Sequence, residues 1–295
     1  MRFRHLGVFL SVCDAGNMTA AAEKLHMAQP SVSQAIAELE QHYQVKLFER
    51  LGRKLFITDA GKKLETYARH IVNLNQEAEA SMRESHRRGS LRIGASTTVG
   101  ASILADLLVA FVREQPQAEL FSFVNNTKEI EELLLLDQLD IGLVEGKINS
   151  SGILCEPFLQ EELVLVCGPA HPLASAKSVR PEELDSLEFV VREPGSGTRE
   201  LFESVMASQG LHWQTYGVYN NMEAIKKVVA TGLALSVMSP MLIGRDVAMG
   251  ELRIVNLKRM KFVRHFSIAH HKNKYRPPLF QSFVQLCLKM GAKNK

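Results

Sequence analysis

The chain has 295 residues, 46% hydrophobic and 23% charged, a globular composition long enough for two or three domains and a sizeable core. No apolar run approaches the roughly 18 residues that a bilayer span needs, and the start MRFRHLGVFLSVCDAG has no small-residue cleavage site. Neither a membrane anchor nor an export signal is therefore expected, and the cytoplasm is the expected compartment. The formal charge of +3 lies wholly in residues 1–89, with thirteen Lys and Arg against ten Asp and Glu, while the remainder carries twenty-two of each. Its densest part, residues 41–64, holds Lys46, Arg50, Arg53, Lys54, Lys62 and Lys63 against Glu49 and Asp59, a concentration suited to phosphates. Cys13, Cys155, Cys167 and Cys287 are scattered, with no C-x-x-C spacing, and are expected as buried free thiols.

The first informative segment is MTAAAEKLHMAQPSVSQAIAELE, residues 18–40. Thr19 is a good N-cap for a helix through AAAEKL, in which Ala22 and Leu25 can face inward together. HMAQ breaks that periodicity, and Pro30 suits the first turn of a second helix, where its missing N–H costs nothing. Val32, Ile36 and Leu39 then form an apolar stripe, which leaves Ser31, Ser33, Gln34, Ala37 and Glu38 away from the core. Two short helices around a tight break make a helix-turn-helix, whose second helix enters the major groove with its first residues against base edges. Gln34 can pair bidentately with adenine, and Ser31 and Ser33 can serve bases or phosphates. An ordinary helical hairpin with a polar surface is the alternative on these residues alone.

HYQVKLFERLGRKLFITDAGKKL follows, with apolar Val45, Leu47, Phe48, Leu55 and Ile57 around a basic tip at Arg50, Gly52, Arg53 and Lys54, the pattern of a winged hairpin. Residues 3–64 resemble the DNA-binding domain of LysR-type transcriptional regulators, in the order NMTAAAEKLHMAQPSVSQAIAELE, KLFER and TDAG. The resemblance implies that Gln29, Ser31, Ser33 and Gln34 approach bases of double-stranded DNA and that Thr19, Arg50 and Arg53 approach its backbone, with Pro30 and Lys54 also expected at the DNA-binding surface. Ala37 stands where relatives commonly carry a basic residue, so the phosphate grip leans more on the wing.

Thr58 or Asp59 caps the next helix, which runs through KKLETYARHIVNLNQEAEASMRESHRR to a boundary at Arg87, Arg88, Gly89 and Ser90. Leu64, Ile71 and Ala78 fall at heptad position a and Tyr67, Leu74 and Ser81 at d, a seam of two heptads. The resemblance implies a dimerising linker helix, assembly as a dimer or a tetramer, and RNA polymerase as a further partner.

From Leu91 the pattern becomes strands alternating with helices: LRIGAS, ILADLLVAFVREQP, AELFSFV, KEIEELLLLDQ and DIGLVEG. After LCEPFLQEELVLVCG the alternation restarts with EFVVRE, RELFESVMASQGL, TYGVY, MEAIKKVVATG and LALSVMS, and it closes on a helix in PLFQSFVQLCLKM. This order predicts two α/β lobes of a periplasmic-binding-protein-like domain joined by crossing strands. The expected fold is thus α/β with an α-dominated N-terminal domain: a winged helix-turn-helix over 1–58, a linker helix over 59–89 and an effector-binding domain over 90–295. Lobe I is expected over about 90–162 and 267–295, and lobe II over about 163–266.

A ligand in such a frame sits beyond the carboxyl ends of the strands, against helix N-termini. Two turns qualify, GASTTVG with Ser96, Thr97 and Thr98, and EPGSGTRE with Gly195, Ser196, Gly197 and Thr198. Their hydroxyls and glycine-opened amides suit a carboxylate or an inorganic oxyanion such as sulfate or phosphate. Asn125, Glu145 and the turn from Ser236 to Ser239 join them by analogy with the family's cleft. PGSGTR also resembles the subgroup that includes regulators of sulfur and cysteine metabolism. The rival classes are a solute-binding protein and a small-molecule-converting enzyme. GASTTVG fails the nucleophile elbow at its last glycine, and PGSGTR lacks the G-K-[ST] of a nucleotide loop. His270 and His271 are adjacent without further metal-ligand spacing, so neither a catalytic residue nor a cofactor or metal is expected.

Overall fold

A computed structural model describes residues 3–51, 54–83 and 89–293. The chain divides into two compact units, one of Met1–Arg87 with Leu135–Gln138, the other of Arg88–Leu134 with Leu139–Lys295.

In the first unit α1 (Phe3–Ala15), α2 (Met18–Lys24) and α3 (Gln29–Tyr43) surround a core of Leu6, Phe9, Val12, Ala21, Ala22, Val32, Ile36 and Leu39. The cap of α2 is Asn17, not Thr19: the chain turns through Gly16 at φ +67°, and the Asn17 side chain accepts from Ala20 N at 2.7 Å. Thr19 is thereby left exposed in the first turn. α3 has no side-chain cap, carries Pro30 in its first turn and buries Ala35 together with the expected stripe.

The wing is β1 (Phe48–Leu51) antiparallel to β2 (Lys54–Ile57), with Phe48 opposite Ile57 and its ring 5.5 Å from that of Phe9. Val45, expected among the wing's apolar contacts, is 42% exposed because it precedes the hairpin. The expected tip residues Gly52 and Arg53 lie outside the described residues.

Of its two candidate caps, α4 (Asp59–Arg83) uses Thr58, whose hydroxyl accepts from Gly61 N at 3.0 Å. A Cβ on Gly61 would stand 2.3 Å from the carbonyl oxygen of Leu47, so only glycine lets the helix approach the hairpin this closely. The expected heptad seam is rotated. Leu64 packs inward with Ala68 and Val72, whereas Tyr67, Ile71 and Leu74, at i, i+4 and i+7, are 56%, 37% and 52% exposed.

In the second unit β3 (Ser90–Ser96), α5 (Thr97–Ser102), α6 (Leu104–Glu114), β4 (Glu119–Asn125), α7 (Thr127–Leu135) and β5 (Ile141–Val144) build the first lobe. The helix expected over ILADLLVAFVREQP is α6, and the turn expected just before it is itself the short helix α5, because the chain is already helical at Thr97 and breaks at Ile103. β6 (Ile153–Cys167) crosses to the second lobe, formed by β7 (Glu188–Arg192), α8 (Gly197–Ser208), β8 (Gln214–Tyr219), α9 (Met222–Ala230), β9 (Ser236–Met238), α10 (Pro240–Ala248) and β10 (Arg253–Val255). β11 (Phe262–His271) returns antiparallel to β6, from Phe262 opposite Leu163 to His271 opposite Ile153, with a register shift between Phe266 and Ser267. α11 (Pro278–Lys293) then packs back on the first lobe, its Phe283 ring 5.1 Å from Phe111.

One sheet therefore runs β10-β6-β11-β5-β3-β4, parallel among β4, β3 and β5, with β9 also on β6, while β7 and β8 pair in parallel. Because β6 and β11 are shared, each lobe keeps its own core, Leu91, Ile93, Phe111 and Phe283 in the first and Leu163, Phe189, Phe202 and Phe262 in the second.

Candidate functional site

Two surfaces collect the side chains singled out in the sequence. On the first unit, α3 exposes Pro30, Ser31, Gln34, Ala37 and Glu38, with Gln29 and Ser33 half-buried. Gln34 Nε2 donates to Glu38 Oε1 at 3.0 Å. Arg50 is exposed, and its Nη2 lies 3.9 Å from Met18 Sδ, which sets the wing cation beside the start of α2 and hence near Thr19. Lys54 begins β2, whereas Arg53 lies outside the described residues.

The hairpin's position is fixed by Glu40. Burial pushes its carboxyl up, but hydrogen bonds from Lys46 Nζ at 2.6 Å and from the backbone of Leu47 and Phe48 outweigh that and hold it below the usual range. The end of α3 is thus tied to the start of the hairpin.

In the second unit the carboxyl ends of β3 and β7 face each other. Arg192 Nη2 donates to Thr97 Oγ1 at 3.0 Å, and Lys128 N donates to Gly195 O at 3.2 Å, both between lobes. A Cβ on Gly146 would stand 2.8 Å from Gly197 Cα, so the lobes meet backbone to backbone. Arg192 is 3% exposed; its Nε and Nη2 hold Glu193 at 2.8 and 2.9 Å. Its Nη1 has no hydrogen-bond partner among the described residues, and neither have the buried hydroxyls of Ser196 and Thr127. Three unspent donors at one cleft, two of them beside the N-terminus of α8, make a ready anion site.

Beneath lies a buried charged group. Arg264 donates through Nε to Glu161 at 2.8 Å and through Nη1 to Thr198 Oγ1 at 2.8 Å, and it lies 4.0 Å from Glu145. Ser239 donates to Glu161 from the other side. Burial pushes the Glu145 carboxyl up, an effect that Arg264, Arg192 and Thr98 only partly offset.

The structure thus brings Thr97, Thr98, Glu145, Gly195, Ser196, Gly197 and Thr198 together, and it gives other tasks to three of their expected companions. Ser96 donates to Leu143 O at 3.3 Å and accepts from Glu145 N, tying β3 to β5. Ser236 donates to Val190 O at 2.9 Å, tying β9 to β7. Asn125 is exposed, its side chain accepting from the next residue's N–H at 2.8 Å. Sequence reasoning missed Arg192, Arg264, Glu161 and Thr127. Arg192 had one visible signal, a cation at the end of an apolar strand immediately before a glycine-opened turn.

The four thiols are free, and Cys155 is exposed, against the expectation of burial, because it lies where β6 has left the core. Burial pushes Cys13 and Cys287 up to about 12, which leaves them inert. No group of His, Cys, Asp and Glu among the described residues is arranged to hold a metal, and no described helix is long and apolar enough to cross a membrane.

Residues 3–62 match the family model of the bacterial regulatory helix-turn-helix protein, lysR family, and residues 84–292 match the LysR substrate binding domain. The chain is 34% identical over 272 residues to the HTH-type transcriptional regulator CysL of Bacillus subtilis, covering 92% of this chain and 91% of that protein. Full-length OxyR of Pseudomonas aeruginosa shares the fold, with a TM-score of 0.74 over 97% of this chain and 94% of that one, at 20% identity. The regulatory domain of CcmR from Synechocystis, solved in complex with 2-PG, aligns with 69% of this chain and 98% of its own at 25% identity and a TM-score of 0.64.

Proposed function

Because the chain belongs to the LysR family of DNA-binding transcriptional regulators, we propose that it reads a dyad-symmetric operator as a dimer or tetramer and answers to a small anionic effector held between its lobes. The observation that carries the effector reading is Arg192, a nearly buried cation with one nitrogen unspent beside the unspent Ser196 hydroxyl. CcmR, whose regulatory domain was solved in complex with 2-PG, supports a small ligand for this domain. The ligand chemistry that fits unspent hydroxyls and a guanidinium is a carboxylate or an inorganic oxyanion. Population shift is the mechanism. An effector that prefers one arrangement of the lobes biases the assembled subunits toward one spacing or bend of the operator, and one without preference changes nothing. Signal output runs through contact with RNA polymerase in the cytoplasm.

For DNA, the reading assigns bases to Gln29, Pro30, Ser31, Ser33 and Gln34, and phosphates to Thr19, Arg50, Arg53 and Lys54. Purified protein incubated with sheared DNA from its source genome should enrich a few fragments sharing an interrupted inverted repeat. On such a fragment Gln34→Ala should cost roughly 1–3 kcal/mol at one or two base pairs, whereas Arg50→Ala should weaken all sequences alike and lower the salt slope by about one ion. The same uniform loss in both variants would show that the two roles are misassigned.

Self-association is read from α4, whose Tyr67, Ile71 and Leu74 form an exposed apolar line on a 25-residue helix that needs a partner. Ile71→Glu with Leu74→Glu should convert the oligomer to monomers in sedimentation velocity and abolish binding to the paired site. Retained assembly would remove this helix from the interface.

A further inference from the structure

α3 carries a carboxylate where DNA is expected. Glu38 sits four residues after Gln34 on the same exposed face, and its Oε1 accepts from Gln34 Nε2 at 3.0 Å. Its other oxygen, Oε2, lies 3.6 Å from His5 Nε2 at the start of α1. Side-chain exposure is 20% for His5 and 45% for Glu38, so the pair is held from one side and open to solvent on the other. Both line an open groove of about 720 Å³ with Arg4, His26, Ser31 and Gln34, continuous with the base-reading face of α3. A bare anion there would repel phosphates, so its presence calls for a task.

We propose that Glu38, anchored by His5, is the positioning residue that fixes the amide of Gln34 in one orientation and so makes it specific for adenine. The proposal rests on the reading of Gln34 as a base contact. A glutamine amide presents an oxygen acceptor on one side and two N–H donors on the other, and rotation by half a turn exchanges them at little cost. An amide free to exchange can face a donor or an acceptor on a base edge and therefore discriminates poorly. Glu38 offers only acceptors, so it holds one N–H and forbids the exchange. The second N–H and the carbonyl oxygen remain for the bidentate pairing that adenine N7 and N6 allow and that guanine O6 does not. His5 Nε2 packs 3.6 Å from the second carboxylate oxygen, and Arg4 lines the same groove.

The test is selection of bound duplexes from a randomised pool by the full-length wild type and by Gln34→Ala, Glu38→Ala, Glu38→Gln and His5→Ala, with circular dichroism as a control for folding. Gln34→Ala identifies the base pair that Gln34 reads by the position whose preference collapses. Glu38→Ala should relax that same position by roughly fivefold or more, within the range of one bidentate contact, while total affinity rises because an anion has left the interface. Glu38→Gln keeps an acceptor for Gln34 without the charge, so it should retain most of the preference and still bind more tightly overall. A general weakening of the helix would lower affinity at all positions and would not be rescued this way. If Gln34→Ala relaxes a position that Glu38→Ala leaves intact, the positioning role is wrong and the Gln34 reading stands. If Gln34→Ala relaxes no position, the Gln34 reading is wrong and the positioning role falls with it.

Discussion

Arg264→Leu is expected to lower the stability of the effector-binding unit by about 3–5 kcal/mol, the cost of removing one partner from a buried ion pair. The side chain is 6% exposed on a strand shared by both lobes, and each of its bonds reaches a different element: Glu161 on β6, Thr198 on α8, and Glu145 after β5 at 4.0 Å. Leucine fills part of the volume but leaves Glu161, 5% exposed, with only the Ser239 hydroxyl as a donor. The loss is therefore chiefly the desolvation of an orphaned carboxylate and not the worth of the pair itself. Removing both charges separates these contributions. Arg264→Leu with Glu161→Leu should recover a substantial part of the single-variant loss in urea unfolding, because two apolar residues need no partner. Additive losses in the double variant would mean that Arg264 acts through packing, for instance over the Phe266 ring 5.4 Å away, and not through charge.

Arg264 also shows why part of the site was hidden in the sequence. FVRHFSIAHH alternates as a strand should, but two of its inward positions hold Arg264 and His271 where an apolar residue is expected, and the strand was not recognised. Its partner Glu161 lies in QEELV, one acid of two, and nothing local tells the buried one from its solvated neighbour Glu162. Pairing across β6 and β11 separates these residues by about a hundred positions, a distance over which periodicity carries no information.

The exposed face of α3 was legible because its determinants are local. Val32, Ile36 and Leu39 set the phase of α3, and the phase sets which residues face outward. Thr19 was misplaced as a cap by two residues because Asn17 is an equally good acceptor and Gly16 supplies the turn that brings it into position. The linker helix shows the complementary limit. A heptad frame marks which residues can form a seam, but Leu64 already packs on its own domain, so the exposed line starts at Tyr67. Ser96 does end a strand, whereas the turn expected from Ser236 is strand β9 itself, and only the paired strands reveal that backbone carbonyls already occupy both hydroxyls.

Arg192→Ala is the variant that should silence the sensor without disturbing the DNA-binding unit. Wild-type protein titrated with sulfate, phosphate and acetate should show a rise in melting temperature with at least one of them, since binding to the folded state alone stabilises it. A charge-assisted hydrogen bond contributes roughly 1.5–3 kcal/mol, so the alanine variant should need on the order of 10–100-fold more of the same anion for an equal rise. Arg192→Lys retains a positive charge but loses the planar fork that holds Glu193 while one nitrogen stays free, and it should fall between the two. Affinity for operator DNA without anion should be equal in all three proteins, because Arg192 lies in lobe II and not on the recognition face. If the alanine variant responds to the anion as the wild type does, the unspent Arg192 nitrogen is not the ligand's contact. The Ser196 hydroxyl and the N-terminus of α8 would then have to hold the anion alone, and Ser196→Ala would become the variant that loses the response.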